Sequence, residues 1–395
     1  MKTKKLLMLI GSICLSLVLA ALLLPACAPV EVPEEIAKLE VEIADLKDDV
    51  AAEKTKTAAE KAKVSDLEDE ITALKKPAEV HKWYPSSWQS AGPVADDLAY
   101  MCEHITAMSD GRIVATPSAP GAICPVDEQL DAVIAGSTEA MNMTSSYTKG
   151  KIPCSFAHQN FAYLTGGVHD AVYFYEEFEG GRVMEIFQEE LTKYGDAVVV
   201  GNHYFYSCNN IVSAVPIYGV AELEGVMFRT SEIKADLVSH FGAGTVWLPG
   251  DEIYTSLATG AVDAMTYSNV LTNLAMSFHE VSKYWIKKPL MSGILSNQFV
   301  VNGDVWRGLP DDLKDIVRTA IRAGTARGQW VCDRGFASGW KQAEAAGIEI
   351  IEWPAEDIAT FLEAYAMLYK EGCQVDAPSQ EIYGIYERFL AEVGG

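Results

Sequence analysis

The stretch from Glu222 to Asn269 constrains the fold most, because short apolar segments alternate in it with amphipathic ones. One apolar segment ends at Arg229, and a second, at residues 245–248, is followed by a Pro-Gly turn, a helical segment and a strand that ends at Tyr267. This alternation is typical of a parallel sheet in an α/β protein. Ligands of open α/β sheets bind at the carboxyl ends of the strands. We therefore expect Arg229 and Tyr267 to lie at a ligand site.

The rest of the chain after residue 79 repeats the alternation and predicts two α/β lobes. Residues 197–206 have a strongly β composition and are interpreted as a strand that crosses between the lobes, with residues 283–301 as the return. Two lobes joined by crossing strands predict a hinged clamshell that binds its ligand between them. The predicted boundaries are residues 79–203 with about 287–310 for lobe I, and residues 204–286 with about 311–395 for lobe II.

The N-terminus predicts export. A basic start, MKTKK, precedes an apolar run to residue 26, which is typical of a secretory signal peptide at residues 1–26. The sequence Leu24-Pro25-Ala26-Cys27 resembles a bacterial lipobox, so we expect Cys27 to carry a lipid and to begin the mature protein. An uncleaved membrane anchor is the alternative, since a spanning helix needs about 20 apolar residues. Both interpretations tether the body to a membrane on the extracytoplasmic side, in the periplasm or on the outer face of the cell membrane.

Residues 36–74 carry an unbroken seven-residue repeat. Every a position is β-branched, and four of the six d positions are leucine. This pattern predicts a parallel two-stranded coiled coil, and hence a homodimer, within a stalk at residues 27–78. Glu53 and Glu60 at d positions weaken it, and Pro77 ends it. The alternatives are a single charged helix or a disordered tether.

The charge and the absent motifs exclude several function classes. A net charge of −24 argues against nucleic acid and anionic membrane surfaces as partners. The sequence contains no HExxH, GxSxG, Walker, GxGxxG or paired-cysteine zinc motif, so we expect no enzyme activity, no cofactor and no metal site. In so acidic a chain an anionic ligand needs a local cation to bind it.

Polar and aromatic side chains at the predicted cleft form the candidate binding site. An arginine can form a bidentate pair with a carboxylate, and aromatic walls can exclude water. The alternatives are a structural salt bridge for the arginine and ordinary packing for each aromatic residue. The candidate substrate-binding residues are Arg229, Tyr267, Trp88, Tyr147, Tyr206, Asn209 and Asn269.

Several segments from about Glu79 to the C-terminus resemble the solute-binding proteins of TRAP (tripartite ATP-independent periplasmic) transporters, of the dicarboxylate-binding type. They are SDGRIVATPSAPGAI, ELEGVMFRT, VWLPGDEIYTSLATGAVDA, FHEVSKYW and LPDDLKDIV. The resemblance implies a two-lobed clamshell with a long helix that spans the lobes. It also implies that Arg229 pairs with the carboxylate of an organic acid, which is delivered to membrane permease subunits driven by an ion gradient.

The resemblance is incomplete near Tyr267. Relatives often place an asparagine there, or a tryptophan directly after a glutamate that binds a metal. Here Thr266 stands where that glutamate would be. A substrate bridged by a metal is therefore not implied for this chain.

Two other functions remain open from the sequence. One is a binding protein for an ABC importer, which would share the clamshell. The other is a ligand sensor in which the coiled coil is a dimeric transmitter.

Overall fold

The computed structural model describes residues 38, 41–42, 44–45, 63–69, 79–148, 150–160, 168–207, 209–291 and 293–393, with only the backbone of Val168 and Tyr206. The signal peptide, Cys27 and most of the predicted coiled coil lie outside these residues; the described residues before 79 are helical. The chain divides into two compact units, one of residues 1–81 and 106–114 and the other of residues 82–105 and 115–395. Both large sheets lie in the second unit. No helix among the described residues is long and apolar enough to cross a membrane.

The secondary structure is mixed. The strands are β1 His81–Trp83, β2 Ser86–Ser87, β3 Ile113–Ala115, β4 Ala140–Thr144, β5 Ala197–Tyr206, β6 Ile211–Ser213, β7 Met227–Arg229, β8 Gly244–Val246, β9 Ala264–Thr266, β10 Tyr284–Lys288, β11 Ile294–Asn302 and β12 Glu349–Glu352. The α-helices are α1 Pro93–Met108, α2 Gln129–Ile134, α3 Ser155–Gln159, α4 Val168–Val172, α5 Arg182–Tyr194, α6 Ile233–His240, α7 Ile253–Ala258, α8 Val270–Ala275, α9 Gly303–Gly308, α10 Asp311–Ala345, α11 Ala355–Gly372 and α12 Ala377–Val393. A π-helical turn covers Tyr173–Glu177, and 3-10 turns cover Val126–Glu128, Ser145–Tyr147, Phe178–Gly181, Val220–Leu223, Gly250–Glu252 and Phe278–Glu280.

The first sheet has four strands in the order β2-β4-β11-β5. Strand β4 is parallel to β2 and antiparallel to β11, and β11 pairs antiparallel with β5 along its whole length. After β5 the chain enters the second sheet, and it returns to the first with β11. Both crossing segments predicted from the sequence are therefore confirmed.

The second sheet has six strands in the order β12-β10-β6-β9-β7-β8. Strand β7 lies parallel to β8 and to β9, as the alternation in the stretch Glu222–Asn269 predicts. Phe228 and Met265 on these strands are fully buried, so the sheet forms around the apolar segments read from the sequence. Arg229 is the last residue of β7 and Tyr267 follows β9, which places both at the same edge of the sheet.

Lobe I does not begin with the sheet that the alternation of segments in the sequence predicts. The first two predicted strands, β1 and β3, form a two-stranded sheet of their own and do not join the four-stranded sheet. Each of the two strands ends two residues before a proline, Pro85 after β1 and Pro117 after β3, and a proline has no N–H to donate to a ladder. The chain joins the larger sheet only after Pro85, with β2.

The long helix α10 packs against both lobes, because glycines let other helices approach it closely. A Cβ at Gly324 or Gly328 would collide with side chains of α1, and a Cβ at Gly335 or Gly339 would collide with side chains of α8. Glycine inside a helix costs roughly 1 kcal/mol relative to alanine, so these positions favour contact over helix propensity. The helix therefore contacts elements from the ranges predicted for both lobes.

The last helix, α12, packs against helices from much earlier in the chain. These helices are α3 and α5, which lie in the range predicted for lobe I. Phe389 of α12 contacts Phe174, with ring centroids 5.1 Å apart, and Arg388 forms an ion pair with Glu179. The sequence predicts the apolar face of this helix, but it does not predict which lobe packs against that face.

Candidate ligand-binding site

Arg229 is held at the edge of the second sheet by backbone carbonyl groups. Its Nε and Nη2 donate to the Leu248 carbonyl oxygen at 2.9 and 2.5 Å, and Nη1 donates to the Thr266 carbonyl oxygen at 2.9 Å. Both carbonyls follow or end strands next to β7, so the fold of the sheet fixes the guanidinium plane. A guanidinium has five N–H donors, so two remain for Tyr147 and for a ligand.

The charge of Arg229 is buried and lacks an acidic partner among the described residues. The residue is 3% exposed. Burial lowers the pKa of Arg229, and the neighbouring hydroxyl groups of Tyr147 and Tyr267 only partly oppose this effect. The structural salt bridge considered from the sequence is therefore not present in the described part of the chain. A buried cation of this kind is stabilised by an anion that enters the site.

One aromatic pair forms the wall beside Arg229. The Arg229 Cζ lies 5.3 Å from the centroid of the Tyr267 ring, which is the range of a cation–π contact. Tyr267 meets the Trp88 ring edge to face at 5.4 Å, and its hydroxyl donates to the Trp88 carbonyl oxygen at 3.3 Å. Because Trp88 follows the first sheet and Tyr267 the second, this pair connects the two lobes.

A second aromatic pair connects the lobes in the same way. Tyr147, which follows β4, meets Trp247, which follows β8, with centroids 5.9 Å apart and an interplanar angle of 76°. Trp247 was not among the candidate residues. Its position directly after a strand parallel to β7 is the signal that points to it, since Arg229 lies at the same sheet edge.

A cavity of about 40 Å³ collects most of the candidate residues. Its lining residues are Trp88, Thr144, Ser146, Tyr147, Ser207, Asn209, Arg229, Ser231, Lys234, Trp247, Thr266, Tyr267 and Leu295. A second cavity of about 390 Å³ shares Ser146, Tyr147, Ser231 and Trp247 with it. A larger cavity, of about 770 Å³, lies elsewhere, between α5, β5 and α10, and contains none of the candidate residues.

The cavity brings together Trp88, Tyr147, Asn209, Arg229 and Tyr267. Asn209 is 2% exposed, and its Oδ1 has no hydrogen-bond partner among the described residues. Buried amide groups are nearly always paired, so an unpaired one in a cavity points to a polar ligand.

Two candidate residues are not brought to the cavity. Asn269 does not line it; its Oδ1 accepts from the backbone N–H groups of Leu271 and Thr272 at 3.1 and 3.2 Å and so caps helix α8. An asparagine just after a strand and just before a helix fits a cap as well as a ligand contact, and here the cap is what forms. The side chain of Tyr206 lies outside the described part of the chain.

The site contains a buried ion pair that was not predicted from the sequence. Lys234 lines the cavity of Arg229 and Glu232 lines the adjoining one, with Nζ and Oε2 3.7 Å apart. Burial lowers the pKa of Lys234; the charge of Glu232 opposes this shift and that of Arg229 adds to it. One signal could have identified Lys234: it lies in the first turn of α6, where the helix dipole disfavours a cation.

The comparisons with known proteins agree on one family. The family model for bacterial extracellular solute-binding protein, family 7 (DctP), matches residues 85–374. The monocarboxylate 2-oxoacid-binding periplasmic protein of Nostoc is 24% identical in an alignment of 337 residues that covers 78% of this chain and 83% of the relative.

Solved structures share the fold. A TRAP periplasmic solute-binding protein of Desulfovibrio salexigens with bound orotic acid has a TM-score of 0.70 and 19% identity, covering 79% of this chain and 99% of its own. One of Pseudoalteromonas atlantica with bound sodium and pyruvate has a TM-score of 0.69 and 20% identity, covering 80% and 95%. The two α/β lobes are thus those of a periplasmic binding protein. Because the family model covers most of the chain, the protein belongs to the bacterial extracellular solute-binding proteins of family 7 (DctP).

Proposed function

We propose that this solute-binding protein captures a small organic acid between its lobes and delivers it to an ion-gradient-driven TRAP permease. The observation that carries the proposal is Arg229, a buried cation at the cleft with no acidic partner among the described residues. Its charge pairs with the carboxylate of the ligand in a charge-assisted hydrogen bond.

The walls of the cavity suit the remainder of such a ligand. Trp88 and Tyr267 on one side, and Tyr147 and Trp247 on the other, offer apolar surface that excludes water. Each pair joins one residue from each lobe, so both pairs form only when the lobes close. The ligand is then enclosed by residues of both sheets.

The names of the similar proteins support a carboxylate. A 2-oxoacid, orotic acid and pyruvate each carry one, and they belong to the Nostoc, Desulfovibrio and Pseudoalteromonas proteins respectively. Family membership favours a TRAP permease over an ABC importer as the partner.

We further propose that Cys27 carries a lipid that anchors the protein on the extracytoplasmic side of a membrane. Residues 36–74 then form a stalk that holds the body away from the lipid and pairs two chains through the coiled coil. The lipobox-like sequence and the seven-residue repeat support this arrangement, and described residues 63–69 are helical.

Native mass spectrometry of the purified full chain tests the proposed ligand class, since a tightly held ligand is retained. A thermal-shift screen of small carboxylates, each beside its neutral amide, follows, because a ligand that binds the folded state raises Tm by mass action. We expect carboxylates to raise Tm and the matching amides to leave it unchanged. A retained ligand without an acid group, or equal shifts from acids and amides, would contradict the proposal.

A further inference from the structure

Glu232 has an unusual backbone and an unusual environment at the junction of the two cavities. Its φ is 55° and its ψ is −141°, a backbone conformation that residues other than glycine rarely adopt. Such strain is found mostly at functional sites, where the surrounding structure maintains it. Glu232 is nevertheless 6% exposed, so the strained backbone holds a carboxylate inside the protein.

The two oxygens of this carboxylate differ. Oε2 accepts from the Ser146 hydroxyl at 2.8 Å and lies 3.7 Å from the Lys234 Nζ. Oε1 is buried and has no hydrogen-bond partner among the described residues. A carboxylate oxygen only accepts, so the missing partner is a donor. Leaving such an oxygen unpaired in a buried site is unfavourable, and a donor on the ligand removes this penalty.

Arg229 is close enough for one small molecule to reach both residues. The two lie three positions apart in the chain, which spans at most about 10 Å. Their cavities share Ser146, Tyr147 and Ser231. A ligand whose carboxylate is bound to Arg229 therefore extends towards Glu232.

The charges of the site identify the kind of donor. Arg229 and Lys234 are buried cations and Glu232 is a buried anion, so these three buried side chains carry one net positive charge, which one carboxylate neutralises. Asp127 also lines the adjoining cavity, but it is exposed to solvent. A second carboxylate would leave excess negative charge near Glu232. An ammonium group would instead place a third cation beside Lys234. A neutral hydroxyl donates to Oε1 without changing the balance.

We propose that the site selects hydroxy-monocarboxylates: the carboxylate pairs with Arg229 and a hydroxyl donates to Glu232 Oε1. This inference rests on the proposed function, because Arg229 must bind the acid group first. A 2-oxo acid offers only an acceptor at the position of the hydroxyl, so its carbonyl oxygen faces the carboxylate oxygen of Glu232 and is repelled.

Calorimetry on the full chain with matched acids tests the proposal. The probes are propanoate, butanoate and pentanoate, each with its 2-hydroxy, 3-hydroxy and 2-oxo derivative. For at least one chain length we expect a hydroxy acid to bind roughly tenfold or more tighter than both its parent acid and its 2-oxo form, as the loss of one buried hydrogen bond implies. Equal affinities across each set would overturn the hydroxyl selection and leave the carboxylate proposal intact. No binding by any acid would overturn both.

The variant Glu232→Gln assigns the selection to this residue. We expect the ratio of hydroxy-acid to parent-acid affinity to fall to near one, while the parent acid still binds. Glu224→Gln, at an exposed glutamate, is the matched control and should keep the wild-type ratio. An unchanged ratio in a folded Glu232→Gln protein would contradict the role of Glu232. If the variant does not fold, the wild-type comparison of matched acids still decides the selection.

Discussion

Arg229 illustrates how far a single residue could be predicted from the sequence. Its place at the carboxyl end of a parallel strand follows from the alternation of apolar and amphipathic segments, and the structure agrees. The sequence left open whether a neighbouring acid neutralises it, because that depends on side chains that are distant in the chain. In the described part of the chain, backbone carbonyls hold the guanidinium instead.

Removing this guanidinium should weaken acid binding. For Arg229→Ala we expect a loss of about 2–5 kcal/mol in binding free energy, the range for truncating one half of a buried charge pair. Calorimetry with the acid that gives the largest thermal shift measures it. Arg334→Ala, at an exposed position, is the control. An unchanged Kd for Arg229→Ala would remove this residue from the site.

Glu232 shows what the sequence could not reveal. The reversed φ of Glu232 turns the chain between β7 and α6 so that the side chains of Glu232 and Lys234 are buried at the cleft. No glycine marks this turn, so nothing in the composition predicts it. A glutamate near a helix start is ordinarily interpreted as solvated.

The two cations also predict that binding needs no divalent metal. Arg229 and Lys234 line one cavity and repel a metal ion there, and the described residues contain no group of three potential metal ligands among histidine, cysteine, aspartate and glutamate. The hydroxyl of Thr266 is engaged with that of Thr230 at 2.7 Å. We expect the same Kd before and after dialysis against EDTA. A Kd that weakens on dialysis and recovers with Ca²⁺ would show that a metal bridges the ligand.

His158 gives a prediction about acid stability. Burial lowers its pKa to about 3, from 6.5 in an exposed histidine. In the unfolded chain His158 binds a proton below about pH 6.5, whereas in the folded chain it binds one only near pH 3. The free energy of unfolding therefore falls as the pH falls through this window. Over two pH units this costs about 2–3 kcal/mol. Urea unfolding at pH 6.5 and 4.5 measures the difference.

The variant His158→Gln should lose less stability than the wild type over the same two pH units, because glutamine does not titrate. His169→Gln, at an exposed histidine, should retain the wild-type dependence. Equal pH dependence in all three proteins would mean that His158 does not titrate as the structure implies.

At the scale of elements, the sequence predicts where helices and strands occur better than it predicts which elements they pack against. The limits of α1 and α10 fall at residues that mark helix ends in a sequence, which are Pro93, Pro310 and Gly347. The packing partners of the elements were harder to predict. The sequence did not show that β1 and β3 pair with each other or that α12 packs against α3 and α5, because neither a strand nor an amphipathic face encodes its neighbour.

The predicted stalk can be tested as an isolated element. We expect a peptide of residues 34–76 to be helical by circular dichroism and dimeric in sedimentation equilibrium, because its a and d positions are mostly apolar. Leu46→Asp, at a d position, should give a monomer. Val41→Asp lies outside the a/d seam and should remain a dimer; Val41 is 62% exposed. A monomeric wild-type peptide at high micromolar concentration would refute the coiled coil.

At the scale of the whole molecule, the site exists only because two sheets contribute to it. Trp88 and Tyr147 come from the first sheet, whereas Arg229, Trp247 and Tyr267 come from the second. The crossing strands β5 and β11 were predictable from their composition. Because these strands join the two lobes, the clamshell architecture was predictable as well. The pairing of particular side chains across the cleft was not, because it depends on how far the lobes close.

One hydrogen bond across the cleft gives a prediction about closure. The Ser146 hydroxyl, which follows the first sheet, donates to Glu232 of the second lobe at 2.8 Å. We expect this bond to form only in the closed arrangement, and a hydrogen bond to a charged group contributes about 1.5–3 kcal/mol. The Ser146→Ala protein should therefore need a ligand concentration roughly tenfold or more above that of the wild type to close, and it should reach the same closed state. X-ray scattering during a titration with the acid found by the thermal screen measures both.

The exposed Ser137 provides the control, since Ser137→Ala removes a hydroxyl from lobe I without touching the cleft. The radius of gyration should fall on saturation in all three proteins and to the same value, with only Ser146→Ala shifted along the concentration axis. A radius that does not change with ligand in the wild type would contradict closure. A titration of Ser146→Ala that overlays the wild type would instead show that the aromatic pairs alone hold the lobes together.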